Sequence, residues 1–328
     1  MKSAKAFIKQ LIHTNGKPLD NNSFEPNSPP GLTKGDQLND YVWELYSPEG
    51  VQADLEIIFF HGLQLGDYKE AFWKTWSSVD DEDVIWPKDW LTKKIPKARI
   101  LCVTYDAHAK HGGTQDLYGL AESLVDNIIL AEKHKIGQDC PVFLVGHCLG
   151  GTVIKQLLLF ARQKRDFGLE TEGMTRIDKF LGNVKGAFYY ATPGLGSSIA
   201  DLAKLLTSTD PVLQLLKALD TEKARTNEQF RKLQKKLKAP VPVWGVAEGV
   251  PTHYLGFYGM IVPEASARQD VDNYYTNGRA DHFTVCKARN MRDSVIELLV
   301  RFINQEQRNE DKKTNGDRVV SDSVHRSP

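Results

Sequence analysis

The chain has 328 residues, of which 41% are hydrophobic, and 42 basic side chains balance 42 acidic ones. This is enough for a sizeable core in one large domain or two small ones. Zero formal charge gives no global field toward nucleic acid. No apolar run approaches the roughly 20 residues that cross a bilayer, so no transmembrane segment is expected.

Cys102, Cys140, Cys148 and Cys286 are widely spaced and form no CxxC pair. That pattern argues against a disulfide framework or a structural zinc site and fits a reducing, cytoplasmic compartment. No cofactor or metal is expected. The oligomeric state is not legible.

The first residues, MKSAKAFIKQLI, are basic and read as a frayed terminus, with a weak transit-like segment as the alternative. Residues 13–40 are rich in Asn, Pro, Gly and Ser, so 1–40 form a flexible lead-in. Order begins near Tyr41. Strands are expected at Tyr41–Tyr46, Asp54–Phe60 and Arg99–Tyr105, and a helix from about Asp116 to His134, where Leu117, Leu120, Leu124 and Ile128 recur at helical intervals. Trp73, Trp76, Trp86 and Trp90 lie between the second and third strands. Packing of a helical segment onto the sheet accounts for such aromatics better than substrate lining does.

The organising stretch is Pro141–Thr152, PVFLVGHCLGGT. An apolar strand, Val142–Val145, runs into Gly146-His147-Cys148-Leu149-Gly150-Gly151 and then into a helix. Strand, Gly-bounded turn, helix is the setting of a nucleophile elbow, with Cys148 at the centre. Gly146 and Gly150 are the small residues that so tight a turn requires. Further strands are expected at Val184–Ala191, Pro240–Ala247 and Met260–Val262, and a closing helix at Val295–Ile303. Residues 305–328 read as a disordered tail, giving a domain of 41–304. The 199–238 segment interrupts the alternation with helical patterns. It suits a lid, crossover helices, or peripheral contact with a membrane surface.

Strands alternating with helices predict a mainly parallel, doubly wound α/β sheet, and the elbow set in it resembles the α/β-hydrolase arrangement. Acyl transfer needs a nucleophile, a base, an acid to orient the base, and oxyanion donors. In this fold the chain order is nucleophile, acid, base. Cys148 supplies the nucleophile. His282, just before the last helix, is the expected base, ahead of His253 and His325. Glu248, at a strand end, is the expected acid, with Glu264 and Asp281 as alternatives. The Leu149 N–H and the Leu63 N–H are the expected oxyanion donors, with His61 and Gly62 shaping the loop that carries Leu63. A thiol at a helix N-terminus beside a histidine has a lowered pKa and is a good nucleophile. The competing reading is a degenerate elbow that binds a small ligand, lipid or protein partner without turnover.

The segments IIFFHGLQLGDYKEAFWKTW (57–76), WL…ARILCVTYDA (90–107), CPVFLVGHCLGGTVIKQLL (140–158), ATPGLGSSIADL (191–202) and GMIVPEASA…DHFTVCK (259–287) resemble the serine active site-containing protein family and its plant-type relatives, within the α/β-hydrolases. That family carries serine where this chain has Cys148. The resemblance implies action on ester bonds of lipid-like substrates, while the Cys148, His282 and Glu248 set by itself points to hydrolysis of carboxylic ester or thioester bonds. It also implies, as an alternative address, association with mitochondria or the endoplasmic reticulum, where some members are linked to phosphatidylglycerol remodelling.

Overall fold

A computed structural model describes residues 34–63, 68–106, 117–168, 171–194, 210–237, 239–254 and 257–324. Its ten strands are β1 (Asp36–Gln37), β2 (Val42–Tyr46), β3 (Leu55–Phe60), β4 (Ala98–Val103), β5 (Val142–His147), β6 (Val184–Tyr190), β7 (Val243–Glu248), β8 (Thr252–Tyr254), β9 (Phe257–Gly259) and β10 (Asn273–Asn277). The longer helices are α1 (Leu117–Leu124), α2 (Leu149–Phe167), α3 (Glu172–Asn183), α4 (Asp210–Lys236) and α5 (Ser294–Val324).

Eight strands form one sheet in the order β1-β2-β4-β3-β5-β6-β7-β10. From β4 to β10 every neighbouring pair is parallel, while β2 pairs antiparallel with both β4 and β1. β3 and β5 are buried along their whole length, as strands covered on both faces are, and so they read as unbroken apolar runs. Their side chains alternate between two cores. Ile57, Phe59, Phe143 and Val145 join Trp76, Trp86, Trp244 and Phe302 on one face. Ile58, Phe60 and Leu144 join the apolar sides of α1, α2 and α3 on the other. Trp76 and Trp86 meet Phe59 edge to face at 4.9 and 5.5 Å, so these two tryptophans pack helical turns onto the sheet.

Several elements differ from the sequence-based expectation. Met260–Val262 is not a strand; Ile261 and Val262 are buried in a loop beneath the end of β7. The last strand is β10, whose sequence NYYTN is half exposed at the sheet edge and so lacks an apolar signature. The hairpin β8–β9 is an addition, and β1 extends order back into the expected lead-in. After α1 the chain widens into a π-turn, with the Leu130 N–H bonding the Val125 carbonyl at 3.0 Å, and regular helix does not continue to His134. Residues 305–324 continue α5. The Asp293 carboxylate caps the start of α5 by accepting from the Val295 N–H at 3.0 Å, and the Lys185–Glu310 ion pair at 3.0 Å fastens the helix beyond Ile303. Charged helices of this kind carry little apolar periodicity to read.

The expected lid falls partly outside the described residues, which resume at Asp210. From Thr221 onward α4 lies along α2. Lys155 Nζ donates to Asn227 Oδ1 at 2.8 Å, Thr226 Oγ1 donates to Gln156 Oε1 at 2.8 Å, and Phe230 is buried against the same core. The described part of 199–238 thus packs against α2. Residues 1–33 and 325–328, including His325, lie outside the described residues.

Candidate active site

The site sits at the carboxyl ends of β3, β5 and β7, where loops of a parallel sheet gather. β5 ends at His147, and α2 begins at Leu149. Cys148 alone makes the reversal, with φ +51° and ψ −121°. A side chain in such a conformation costs about 1–3 kcal/mol. Its neighbours hold it there: the Cys148 N–H donates to the Tyr190 carbonyl at 2.9 Å. Glycine is required on both sides of the turn's approach to β3. A Cβ on Gly150 would lie 2.2 Å from the Phe60 carbonyl oxygen, and one on Gly62 would lie 2.7 Å from the Cys148 Cβ. Gly146 is the penultimate residue of β5.

Cys148 is 4% exposed. Its thiol hydrogen-bonds the His282 ring and receives the backbone N–H groups of Leu149 and Leu63. Burial opposes ionisation of the thiol, but the His282 charge and these donors outweigh it and bring the pKa below its ordinary value. The converse holds at His282, where burial favours the neutral ring and the Cys148 charge beside it drives the pKa up. Each partner thus shifts the other toward its charged form.

His282 lies in the turn after β10 and is 2% exposed. Its main chain is held at both ends. The N–H donates to Thr252 Oγ1 at 3.1 Å, and the carbonyl accepts from His147 Nε2 at 2.9 Å. Its Nδ1 faces Glu248 Oε2 at 3.4 Å, which leaves Nε2 for the thiol. Glu248 ends β7 and is fully buried, and its Oε1 accepts from the Val262 N–H at 2.5 Å. The apolar stretch around Ile261 thus supplies a main-chain donor to the acid.

The other candidates stand apart. Glu264 is exposed at the start of a short helix, Glu264–Ala267. One Asp281 carboxylate oxygen is taken up within its own turn, by the N–H groups of Phe283 and Thr284 and by the Thr284 hydroxyl. His253 is exposed on β8.

His61 is buried behind the loop that carries Leu63 and stacks on Tyr105 at 4.1 Å. Its Nε2 accepts from the Tyr105 N–H at 3.3 Å, so Nδ1 carries the proton and donates to the Gly62 carbonyl at 2.8 Å. The Tyr105 hydroxyl donates to the His61 carbonyl. Burial lowers the His61 pKa to about 4. The neutral ring and the tyrosine hold the loop that carries Leu63.

Sequence reasoning missed His147 and Thr252. His147 carries a signal, since it directly precedes the elbow residue. Thr252 carries none. Among the described residues, no cluster of three or more metal-ligating side chains exists, and no helix is long and apolar enough to cross a membrane.

No protein-family model matches the chain. It is similar to Protein SERAC1 of Danio rerio, 27% identical over 273 residues, covering 77% of this chain and 39% of that protein. It is likewise similar to Protein SERAC1 of Homo sapiens, 24% identical over 83% of this chain and 42% of that protein. The chain thus spans about two fifths, or less, of the length of the curated relatives it matches. These relatives are animal proteins, not plant-type ones, and the plant-type part of the resemblance finds no support in them. Among solved structures, Bacillus licheniformis lipase BlEst2 in its mature form aligns at a TM-score of 0.50 and 16% identity, over 79% of this chain and 98% of that one. An α/β hydrolase enzyme from a lagoon-sediment metagenome aligns at 0.46 and 15% identity, over 84% and 99%. With the sheet order, the elbow and the lipase likeness in agreement, the chain has the α/β-hydrolase fold.

Proposed function

We propose that the chain hydrolyses carboxylic ester or thioester bonds, with lipid-like acyl compounds as the favoured substrate class, through Cys148, His282 and Glu248. The observation that carries this reading is the Cys148 thiol, held in a strained elbow against the His282 ring and beneath the N–H groups of Leu63 and Leu149. A vestigial elbow has no need to keep a base, a facing carboxylate and two amide donors converging on one sulfur.

In this mechanism the thiolate attacks the acyl carbon, and the carbonyl π pair moves onto oxygen. The Leu63 and Leu149 N–H groups pass from sulfur to that oxyanion. The tetrahedral intermediate collapses and expels the alcohol or thiol, which leaves with the proton from His282 Nε2. A thioester to Cys148 remains. His282, now neutral, takes a proton from water as the water attacks the acyl carbon. The acid departs, and the thiolate–imidazolium pair returns. Glu248 holds His282 Nδ1–H toward itself and offsets the charge of the imidazolium.

The test is covalent labelling by iodoacetamide at neutral pH, together with turnover of p-nitrophenyl and thioester substrates. Labelling maps to Cys148, disappears in Cys148→Ala and falls in His282→Ala. An unreactive Cys148 with no turnover would overturn the reading and favour a protein that binds without catalysis.

A further inference from the structure

We propose that His147 is a positioning residue for the His282 base, holding the base loop against the nucleophile through its Nε2–H. The inference rests on the hydrolase reading above. His147 has no place in the reaction itself, yet it bonds the loop of His282, borders Gly62 and directly precedes Cys148.

A carbonyl oxygen only accepts, so the 2.9 Å contact between His147 Nε2 and the His282 carbonyl fixes the tautomer, with the proton on Nε2. The two imidazole rings lie tilted against each other with centroids 5.1 Å apart. On its other side the ring borders the oxyanion loop, with Nδ1 3.2 Å from where a Gly62 Cβ would stand. The His147 backbone is paired to Tyr190 in the centre of the sheet, and the next residue is Cys148. One ring on a rigid strand therefore spaces the base loop and the oxyanion loop about the nucleophile.

The base needs such a brace. His282 rides on a turn after the edge strand β10, far in sequence from the elbow. The turn is tethered at Ala280, whose carbonyl accepts from the Gly249 and Val250 N–H groups, and at the His282 N–H through Thr252 Oγ1; His147 adds the donor to the carbonyl of the base itself. Displacement of a catalytic group by an ångström costs about 100-fold in rate.

A neutral ring suits the task. Burial, and next the charge of His282, lower the His147 pKa to about 3, with Lys287 and His61 acting in the same direction. The donor bond thus persists while the Cys148–His282 pair changes its protonation. A protonated His147 would set a second cation beside the imidazolium.

The experiment compares His147→Leu, which keeps bulk without a donor, with His147→Gln, whose amide reaches the place of Nε2. Cys148 alkylation by iodoacetamide is followed against pH, and kcat and KM are measured on p-nitrophenyl butyrate. In His147→Leu, kcat falls about 10- to 100-fold while KM stays within about twofold, and the alkylation midpoint moves up toward that of an ordinary thiol. In His147→Gln both return to within about threefold of the parent protein. Unchanged kcat and midpoint in a folded His147→Leu overturn the inference. So does equal impairment of both variants, which would mean packing alone. Should His147→Leu fail to fold, His147→Asn, with an amide too short to reach, replaces it against His147→Gln. Failure of the parent protein itself to label or turn over esters overturns the hydrolase reading, whereas an active parent with insensitive variants overturns the inference alone.

Discussion

Glu248 Oε2 stands 3.4 Å from His282 Nδ1, and neither atom has a closer hydrogen-bond partner among the described residues. The gap is long for a charge-assisted hydrogen bond, which lies near 2.7–2.9 Å. In enzymes, contacts between an acid and its histidine commonly tighten only when substrate is bound. The other Glu248 oxygen is fixed by the Val262 N–H, so the carboxylate has one free oxygen and one direction in which to use it.

Glu248→Gln keeps the shape and removes the charge. It also allows an amide N–H to face Nδ1, which favours the wrong tautomer of His282. The expected loss in kcat is on the order of 10³-fold, with the fold retained by circular dichroism. Glu264→Gln serves as the control, because that side chain is exposed, and its activity stays at the parent level. Equal rates for Glu248→Gln and the parent would remove Glu248 from the mechanism.

A second expectation concerns pH. Burial of Cys148 raises its pKa, and the partner His282 brings it below the ordinary 9.0. With His282→Ala the largest opposing influence is gone, while burial and the Leu149 and Leu63 donors remain. The thiol then ionises at higher pH than in the parent, so alkylation at neutral pH drops and its midpoint shifts in the alkaline direction. The parent protein is expected to alkylate with a midpoint below 9.0 and to change again only when His282 deprotonates at its raised pKa. Rates of iodoacetamide addition from pH 5 to 11 decide the matter. A midpoint shared by both proteins would show that the imidazolium does not act on the thiol.

Much of this arrangement is legible in the sequence because it depends on local pattern. β3 and β5 are apolar runs since both faces are covered, and each is followed at once by a conspicuous residue, His61 and Cys148. Glu248 and His282 are expected from chain order, Glu248 at the end of β7 and His282 in the turn after β10. What cannot be read locally is contact with main-chain atoms remote in sequence. The bonds that fix His282, from His147 and to Thr252, span 135 and 30 positions and leave no periodic trace. β10 escaped because an edge strand has no apolar run. Met260–Val262 misled because its apolar residues serve a loop that feeds a donor to Glu248.

His61 makes the fold acid-sensitive. Its pKa is lowered from 6.5 to about 4, with burial the leading cause. Between those values the unfolded chain holds a proton that the folded ring refuses. The unfolded state binds more protons there, so stability falls as pH falls through that window, by about 3 kcal/mol across it. His147 acts in the same direction. Urea unfolding followed from pH 7 to pH 4 reports the slope. His61→Gln is less stable at pH 7, because it loses the Tyr105 stacking and the fit of the loop, but its slope over this range is shallower. A variant with the parent's slope would contradict the assignment.

Cys148→Ser exchanges an acidic nucleophile for one that must be deprotonated in the act of attack. The strained backbone and the Leu63 and Leu149 donors are independent of the side-chain atom and remain. The change lies in His282. Its pKa is raised by the thiolate beside it, against the effect of burial. Serine brings no such charge at neutral pH, so the His282 pKa falls and the ring becomes the neutral general base that a hydroxyl requires. Cys148→Ser is therefore expected to react with a fluorophosphonate and to hydrolyse p-nitrophenyl butyrate. Its kcat/KM should rise through the lowered His282 pKa, in contrast to the parent, whose rising limb belongs to the thiol. Short and long acyl chains assayed on both forms separate acyl preference from nucleophile chemistry. Inertness of both forms toward every ester, with Cys148 also deaf to iodoacetamide, would leave the elbow as a binding feature and end the hydrolase reading.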